Sequence, residues 1–556
     1  MNTFDWFVLF LSQVLVVAYG IWRTRRTKSS LAFLKAGKTQ GWFAVGLSVM
    51  ATQASAITFL SGPGQSFAEG MGFLQFYLGV PLAMLVLIKI FLPVYEKLNI
   101  TSAYEYLEAR FGLAARLFTA SLFLLQRGLA AGFTIFAPAL VFAALLGWDV
   151  RLTSLLCGLA VVAYTVTGGS HAVAETHKLQ MGIMLAGLFF SIYLLIHFLV
   201  PHTGTFNHLW TAAEATGRLR CLDWQPDFQT KYTLWSGLIG GFFVALSYFG
   251  TDQSQVSRYL GGRNLKEARK GLLMNALLKI PMQAIVLLCG VFLYLFYLYH
   301  PRPLHFNPVV EKKILFSTDP LIKQRLMAYE RATDSLRSIL KSRPFNAELV
   351  HRATQVSDSL GKAMRMTLEM ALPSAELNDT NYPFLRFVIE NFPAGALGLI
   401  VSMLFSAAMS SASSELNALA TVSCVDFYKR LFKPSAGDSD LLRFGRIITT
   451  VWGAYAIAFA MNAGNLGTLI EAVNILGSLV YGTILGVFLT GFFIPRAHQS
   501  HVLWAAATAE AVVLYCFLAD VMPFLWFNVV SALLVVGLSW LLSWISKTFK
   551  HFVIRD

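Results

Sequence analysis

The chain has 556 residues, of which 56% are hydrophobic and only 13% charged, and its formal net charge is +14. Soluble globular proteins carry roughly 25% charged residues, so this composition excludes a soluble enzyme, a disordered protein and a fibre. A soluble protein this basic would suggest nucleic-acid binding, but here the basic residues follow apolar runs. We therefore predict that the protein is embedded in the lipid bilayer and does not bind nucleic acid.

The apolar runs are numerous and long enough to cross a bilayer repeatedly. A hydrocarbon core of roughly 30 Å needs about 20 apolar residues per helix. The predicted spans are residues 4–22, 42–66, 71–94, 115–146, 150–167, 178–200, 233–257, 271–299, 393–422, 444–463, 467–494, 501–519 and 523–546. The sequence therefore predicts an all-α polytopic membrane protein with about 13 transmembrane helices.

Positive charge in the short loops predicts the orientation of these spans. Clusters of Lys and Arg follow the first, seventh and ninth spans, and such loops are cytoplasmic under the positive-inside rule. The N-terminus is then outside, and the C-terminus with its basic tail is cytoplasmic, which agrees with an odd number of spans. We predict a multi-pass protein of the cell (inner or plasma) membrane, and we make no prediction of its oligomeric state.

One long polar segment, residues 300–390, falls on the outer side in this orientation. Leu326, Leu336 and Leu340 recur there at helical spacing, and Asn346 follows a proline break as a candidate N-cap for a second helix. We predict an external helical hairpin that covers the outer loops. A gating lid and a module that docks a partner are the alternatives.

The second and seventh spans carry small and polar residues at membrane depth, at residues 51–56 and 247–253. Backbone groups freed there must bind protein, ion or water. Corresponding interrupted helices in two halves of a chain indicate a secondary transporter with its site near the bilayer midplane. The predicted units are an accessory span and cytoplasmic loop at 1–41, a first five-helix repeat at 42–200, an external loop at 201–232, a second five-helix repeat at 233–494 that contains the 300–390 insertion, and accessory spans with a cytoplasmic tail at 495–556.

Four serines in the ninth span, Ser410, Ser411, Ser413 and Ser414, fall on one side of a helical turn. Their hydroxyls are hard oxygen ligands of the kind that a small cation prefers, and carbonyls from a broken helix could complete the shell. Small residues also allow close contact between membrane helices. The pattern alone leaves both interpretations open.

Several motifs, taken together, resemble those of the sodium:solute symporter family. They lie at Ala51–Pro63, Thr101–Gly112, Tyr164–Gly169, Asp252–Leu260 and Asp426–Lys429. The resemblance covers about residues 1–300 and 390–495 in the same order. It implies an inverted five-helix repeat core of the LeuT type with accessory helices. It also implies sodium-coupled import of a small polar organic solute by alternating access.

The resemblance also implies which residues hold sodium. The implied ligands are the carbonyl oxygens of Ala51, Ala54 and Ala407 and the hydroxyls of Ser410 and Ser411. Some members hold a further sodium with the next serine pair, here Ser413 and Ser414, and an aspartate. This sequence has His177 near that position, and an imidazole is not a hard anionic ligand, so we expect one sodium per cycle. His177 could be proton-sensitive, but we favour an ordinary histidine at the cytoplasmic end.

Ionisable residues inside membrane spans are functional candidates because burying them is costly. Arg127 and Lys279 could hold a substrate anion, or they could snorkel or pair with an acid such as Asp252 or Glu471. The other predicted substrate contacts are Gln53, Ser55, Thr58, Gln126, Tyr248, Asp252, Gln253, Glu471 and Asn474, with Gln255 and Tyr481 in the same polar set. The resemblance places Tyr248 at an inner gate, where its ring stacks on the solute. Because Arg127 and Lys279 could hold an anionic group, we expect an anionic or zwitterionic solute.

Other functions fit the sequence less well. A channel would favour a continuous polar stripe and a repeated subunit element, which this chain lacks. The motifs HExxH, GxSxG and the P-loop are also missing, so we predict that the protein is not an enzyme. A substrate sensor or a proton-coupled carrier with the same fold stays as the alternative.

Overall fold

The computed structural model describes residues 2–24, 38–317, 319–342, 344–371, 379–463 and 469–553. Helices dominate this part of the chain, and its one β-type pairing is an isolated bridge between Gln40 and Gly262. Much of the first basic loop, between residues 25 and 37, lies outside the described residues.

The α-helices are short or interrupted near the cavity described below and long elsewhere. In chain order they are α1 Thr3–Thr24, α2 Trp42–Gln53, α3 Ala56–Glu69, α4 Val80–Val86, α5 Leu92–Leu98, α6 Glu105–Phe111, α7 Leu113–Leu146, α8 Val150–Thr203, α9 Phe206–Ala215, α10 Gly241–Thr251, α11 Gln253–Leu260, α12 Leu265–Tyr299, α13 Pro308–Leu315, α14 Pro320–Lys341, α15 Ala347–Ala371, α16 Pro383–Asn391, α17 Ala396–Val422, α18 Asp438–Ala460, α19 Leu469–Phe493, α20 Gln499–Leu518 and α21 Phe524–Val553. A 3₁₀ segment lies at Gly70–Tyr77, and π-helical segments lie at Leu87–Phe91, Ser236–Gly240 and Ser423–Phe432.

Many of these helices are long and apolar enough to cross a membrane. Among the described residues, eight segments meet that requirement, and shorter apolar helices lie at Thr3–Val16, Val150–Val166 and Ser236–Thr251. The segment Ala396–Phe432 is the most enclosed, with 83% of its apolar window buried by the rest of the protein. The predicted all-α membrane architecture is therefore confirmed, with α17 at its centre.

The fifth and sixth predicted spans, residues 150–167 and 178–200, are not separated by a loop in the structure. One continuous helix, α8, runs from Val150 to Thr203. The Gly168-Gly169 pair suggested a break, but a glycine costs a helix only about 1 kcal/mol, and no proline stands between these two spans. The pair alone is therefore not enough to end the helix.

Both predicted interruptions are present. Helix α2 ends at Gln53 and α3 begins at Ala56, with extended backbone at Ser55. Helix α10 ends at Thr251, and Asp252 then caps α11 because its carboxylate accepts a hydrogen bond from the Ser254 N–H at 2.8 Å. Polar backbone groups are thus freed at two points inside the helical core, as the small and polar residues indicated.

Glycines let the helices that carry these interruptions pack closely. A Cβ at Gly290 of α12 would lie 2.1 Å from the carbonyl oxygen of Pro63 in α3, and a Cβ at Gly79 would lie 2.1 Å from the backbone nitrogen of Phe242 in α10. Real atoms do not approach so closely, so these helix contacts require glycine.

The polar segment at 300–390 contains the helices α14 and α15, which pack against each other. The Asn346 side chain accepts a hydrogen bond from the Leu349 N–H at 3.1 Å and so caps the start of α15. Arg337 of α14 donates to the Leu298 carbonyl at 2.7 Å, near the end of α12. An ion pair of 2.8 Å between Arg218 and Asp358 joins α15 to the loop after α9. The segment is therefore fixed to the helical core at two places.

Candidate functional site

The break between α2 and α3 faces the serine turn of α17. The hydroxyl of Ser410 lies 3.3 Å from the carbonyl oxygen of Ala51 and 3.0 Å from that of Ala407. The hydroxyl of Ser411 lies 3.2 Å from the carbonyl oxygen of Thr52. Ala54, at the break itself, is fully buried. Oxygen atoms from two helices therefore converge on one buried point, and the donor set consists of carbonyls and hydroxyls, which suit a small hard cation.

The second serine pair and His177 converge beside this point. Ser413 and Ser414 both donate to the carbonyl of Ser410, at 3.3 and 2.7 Å. The Nε2 atom of His177 lies 3.4 Å from the same carbonyl, and its Nδ1 atom lies 3.0 Å from the Ser48 hydroxyl. His177 is fully buried. Helix α8 thus carries the imidazole into the core, against α2 and α17, and its place at the cytoplasmic end stays a prediction.

A cavity of about 120 Å³ adjoins the break. One water needs roughly 10–15 Å³ on the same measure, so the space suits a small organic solute. Of the predicted substrate contacts, it is lined by Gln53, Ser55, Thr58, Arg127, Tyr248 and Asn474. Its wall also contains Thr52, whose carbonyl faces Ser411. The cation point and the cavity therefore share the broken helix.

Arg127, in the cavity wall, is neutralised by two carboxylates, of which only Glu415 lines the cavity. Its Nη1 atom donates to Glu415 at 3.0 Å, and its Nη2 atom contacts Asp252 and the hydroxyl of Tyr481. Tyr481 in turn donates to Asp252 at 2.9 Å. The guanidinium also lies 5.5 Å from the ring centre of Tyr248, a cation–π distance. The acid partner proposed for Arg127 as an alternative to a substrate anion is thus present, and Glu415 is a second one.

Several predicted substrate contacts do not line the cavity. Asp252 does not line the cavity but contacts Arg127, which does. Gln126 is buried behind the lining residues. Gln253 instead bonds to the backbone N–H of Ala103 at 3.0 Å and to the carbonyl of Thr101 at 2.8 Å.

Lys279 and Glu471 are likewise displaced from the lining. The Lys279 ammonium lies 4.9 Å from the ring centre of Tyr77, so an aromatic ring separates it from the cavity. Glu471 pairs with Lys231 at 3.3 Å and accepts from the Tyr232 hydroxyl at 3.1 Å, in the predicted external loop region. Sequence spacing placed these polar groups in the correct helices, but it could not give their rotation about the helix axes.

The sequence interpretation missed several lining residues, among them Glu415, Thr134, Phe76 and Tyr77. Glu415 could have been found, because it is an ionisable residue inside a predicted span and the same criterion identified Arg127. Phe76 and Tyr77 had no such signal, since aromatic residues are common throughout the apolar runs.

Comparison with known proteins agrees with the motifs. The profile of the "Sodium:solute symporter family" matches residues 33–508. The human sodium/iodide cotransporter is 26% identical over 92% of this chain and 69% of its own length. The mouse sodium-coupled monocarboxylate transporter 1 is 28% identical over 88% of this chain and 68% of its own length. The sodium/sialic acid symporter of Aliivibrio fischeri is 27% identical over 97% of this chain and 93% of its own length.

A solved structure has the same fold. It is a substrate-bound, outward-open sodium-coupled sialic acid symporter, which superposes with a TM-score of 0.75 over 98% of both chains. Its sequence identity is 22%, so the likeness establishes the architecture and leaves the solute open.

Proposed function

Because the chain belongs to the sodium:solute symporter family, it imports a solute by coupling to sodium, and we propose that sodium binds where α17 faces the break after α2. The proposed ligands are the carbonyl oxygens of Ala51, Ala54 and Ala407 and the hydroxyls of Ser410 and Ser411. The solute binds in the adjoining cavity.

One observation supports this proposal above the others: the hydroxyls of Ser410 and Ser411 lie 3.3 and 3.2 Å from the carbonyls of Ala51 and Thr52. An unbroken α2–α3 helix would use these carbonyls for its own hydrogen bonds. At the break they are free to turn their lone pairs towards an ion, and the serine hydroxyls can do the same. The convergence thus explains both the interruption and the serines.

Coupling follows from the elements that the two sites share. Thr52 lines the cavity and its carbonyl faces Ser411, while Glu415 lines the cavity one helical turn after Ser411. An ion that orders the break therefore also orders the cavity wall. Each ligand then raises the affinity of the other by the same factor, as linkage requires.

Alternating access between two five-helix repeats, residues 42–200 and 233–494, completes the proposal, with the N-terminus outside and the C-terminus cytoplasmic. In this arrangement Ser413, Ser414 and His177 form a possible second ion position. One sodium per cycle remains the proposed stoichiometry, because this group offers no carboxylate.

Thermal unfolding of the purified protein in sodium or potassium chloride tests the ion site without knowledge of the solute. Sodium should raise the Tm of the wild type above its value in potassium, because an ion that binds only the folded state stabilises it. Ser411→Ala should remove most of that difference. Ser406→Ala, a buried serine one turn earlier that accepts from Gln13 at 3.0 Å, is the matched control and should retain it. An unchanged sodium response in Ser411→Ala would refute the ligand assignment.

A further inference from the structure

Two oxygen acceptors in the cavity wall have no partner. Glu415 is only 7% exposed, and its Oε1 atom accepts from Arg127, but its Oε2 atom makes no hydrogen bond to any described residue. The Oε1 atom of Gln53 is also buried without a hydrogen bond in the described part of the chain. A buried acceptor left unpaired is destabilising, and more so if it is charged. These two atoms are therefore suited to a ligand that donates hydrogen bonds.

The other polar groups of the wall are largely committed to the protein. Thr134 donates to the Ala130 carbonyl at 3.2 Å, and the Asn474 amide donates to the Ile470 carbonyl at 2.7 Å. Gln255 donates to the Tyr248 hydroxyl at 2.6 Å. Arg127 has two N–H groups without a partner among the described residues, its Nε–H and one on Nη1. The cavity wall thus offers a ligand two buried oxygen acceptors, these guanidinium N–H groups and the hydroxyls of Ser55 and Thr58.

The charge of the Arg127 cluster also favours a positively charged group on the solute. Arg127 contributes one positive charge, and the carboxylates of Asp252 and Glu415 contribute two negative ones, so the cluster carries a formal charge of −1. A solute anion that approached Arg127 would meet the negative charge of both carboxylates, which together outweigh the single positive charge of the guanidinium. A cation, by contrast, meets Glu415 and the aromatic faces of Tyr77 and Tyr248, which also attract positive charge.

We infer that the transported solute presents a protonated amine to Glu415 and Gln53, so that it is a zwitterion or a cation with N–H groups and not a simple anion. This inference rests on the proposed function, because it identifies the solute class of the same cavity. The Arg127 Nε–H can donate to a carboxylate oxygen of a zwitterion, so the zwitterionic half of the sequence-based expectation is retained.

Solutes of similar carbon skeleton that carry a carboxylate, an ammonium or both test the inference. The probes are three triplets of acid, amine and amino acid: acetate, ethylammonium and glycine; butyrate, butylammonium and 4-aminobutyrate; phenylacetate, phenethylammonium and phenylalanine. Thermal shift is measured in sodium and in potassium for the wild type, Glu415→Gln and Glu510→Gln. Glu510 lies in helix α20, away from the cavity lining, so its variant controls for the loss of a carboxylate from a membrane helix.

In sodium, an amine-bearing member of at least one triplet should stabilise the wild type more than its acid does. Glu415→Gln should weaken that binding about tenfold or more, since a charge-assisted hydrogen bond becomes a neutral one. Glu510→Gln should bind as the wild type does. The tetramethylammonium ion, which has no N–H, should stabilise less than ethylammonium.

The inference is overturned if an acid stabilises best, if no amine stabilises in sodium, or if Glu415→Gln keeps its affinity for amines. It is also overturned if Glu415→Gln loses only the response to sodium without solute, because the carboxylate then serves the ion. Failure of the proposed function gives a different result: sodium and potassium would stabilise the wild type equally in the absence of any probe.

Discussion

At the scale of single residues, Asp252 performs two tasks that one substitution can separate. Its Oδ1 atom caps α11 by accepting from Ser254, and its Oδ2 atom accepts from Tyr481 and contacts Arg127. Asparagine is an equally good N-cap but has no charge. Asp252→Asn therefore keeps the helix interruption and removes half of the negative charge around the guanidinium.

We expect Asp252→Asn to destabilise the protein, because removal of one partner of a buried ion pair costs about 3–5 kcal/mol. The second carboxylate, Glu415, reduces the loss towards the lower value. The measurement is thermal unfolding in detergent, with Asp319→Asn as a control that also keeps an N-cap but lies at the start of α14 outside the core. Equal Tm values for the two variants would show that Asp252 is not an essential partner of Arg127.

The same cluster shows how far the sequence predicted the site. Arg127 and the break at residues 51–56 could be identified, because charge and small polar residues are rare inside membrane spans. Asp252 was one of the acids offered as a partner for Arg127, but the sequence could not choose between an ion pair and a substrate anion, nor find Glu415, since this depends on the rotation of α7, α10 and α17 about their axes. For this reason the sequence suggested an anion site, whereas the contacts show a guanidinium that is already neutralised.

At the scale of elements, the contact between α3 and α12 depends on Gly290. A Cβ there would lie 2.1 Å from the Pro63 carbonyl oxygen, which is backbone and cannot move aside cheaply. We expect Gly290→Ala to push the two helices apart and to cost about 1–3 kcal/mol, the usual range for overpacking. A lower Tm, together with loss of the sodium response, would follow because α3 continues from the ion site.

Gly182→Ala in α8 is the matched control for this prediction. No atom lies within 4 Å of the Cβ position at Gly182, so alanine there meets open space. Because alanine has a higher helix propensity than glycine, Gly182→Ala should leave the Tm unchanged or raise it. A Gly290→Ala variant as stable as Gly182→Ala would contradict the close contact between α3 and α12.

Helix boundaries were less predictable than helix existence. Apolar runs identified most membrane helices, because a bilayer imposes a minimum length on them. They failed at residues 168–177, where α8 continues through the Gly168-Gly169 pair. A run of apolar residues indicates burial in lipid or protein. It does not indicate whether two such runs belong to the same helix.

At the scale of the whole molecule, an ionic network joins elements on the predicted cytoplasmic side. Arg116 of α7 pairs with Glu108 of α6 and with Asp426 in the π-helical segment Ser423–Phe432, each at 2.6 Å. Arg430 of the same segment pairs with Glu108, also at 2.6 Å. The end of α17 is thereby tied to α6 and α7. A carrier that opens to the cytoplasm must separate such elements, so this network favours the state in which the inner side is closed.

The pKa of Glu108 determines the pH range over which its ion pairs with Arg116 and Arg430 persist. Partial burial raises its pKa, but hydrogen bonds and charge from Arg430 and Arg116 outweigh this effect and hold the pKa below the ordinary value of 4.5. A carboxyl with a lowered pKa stabilises the closed arrangement fully above its ordinary pKa. That contribution is lost as the pH falls through the lowered value. The two ion pairs that Glu108 makes should therefore persist from pH 7 to about pH 5.

We expect Glu108→Gln to open the inner side at neutral pH. Cys424, which is fully buried beside this network, provides the readout in a variant whose other four cysteines are serine. Its maleimide labelling should be several-fold faster in Glu108→Gln than in wild type at pH 7, and Glu348→Gln, in an exposed pair with Arg352, should label as wild type does. Equal labelling in Glu108→Gln and wild type would mean that the interhelical packing, and not the ion pairs, closes the cytoplasmic side.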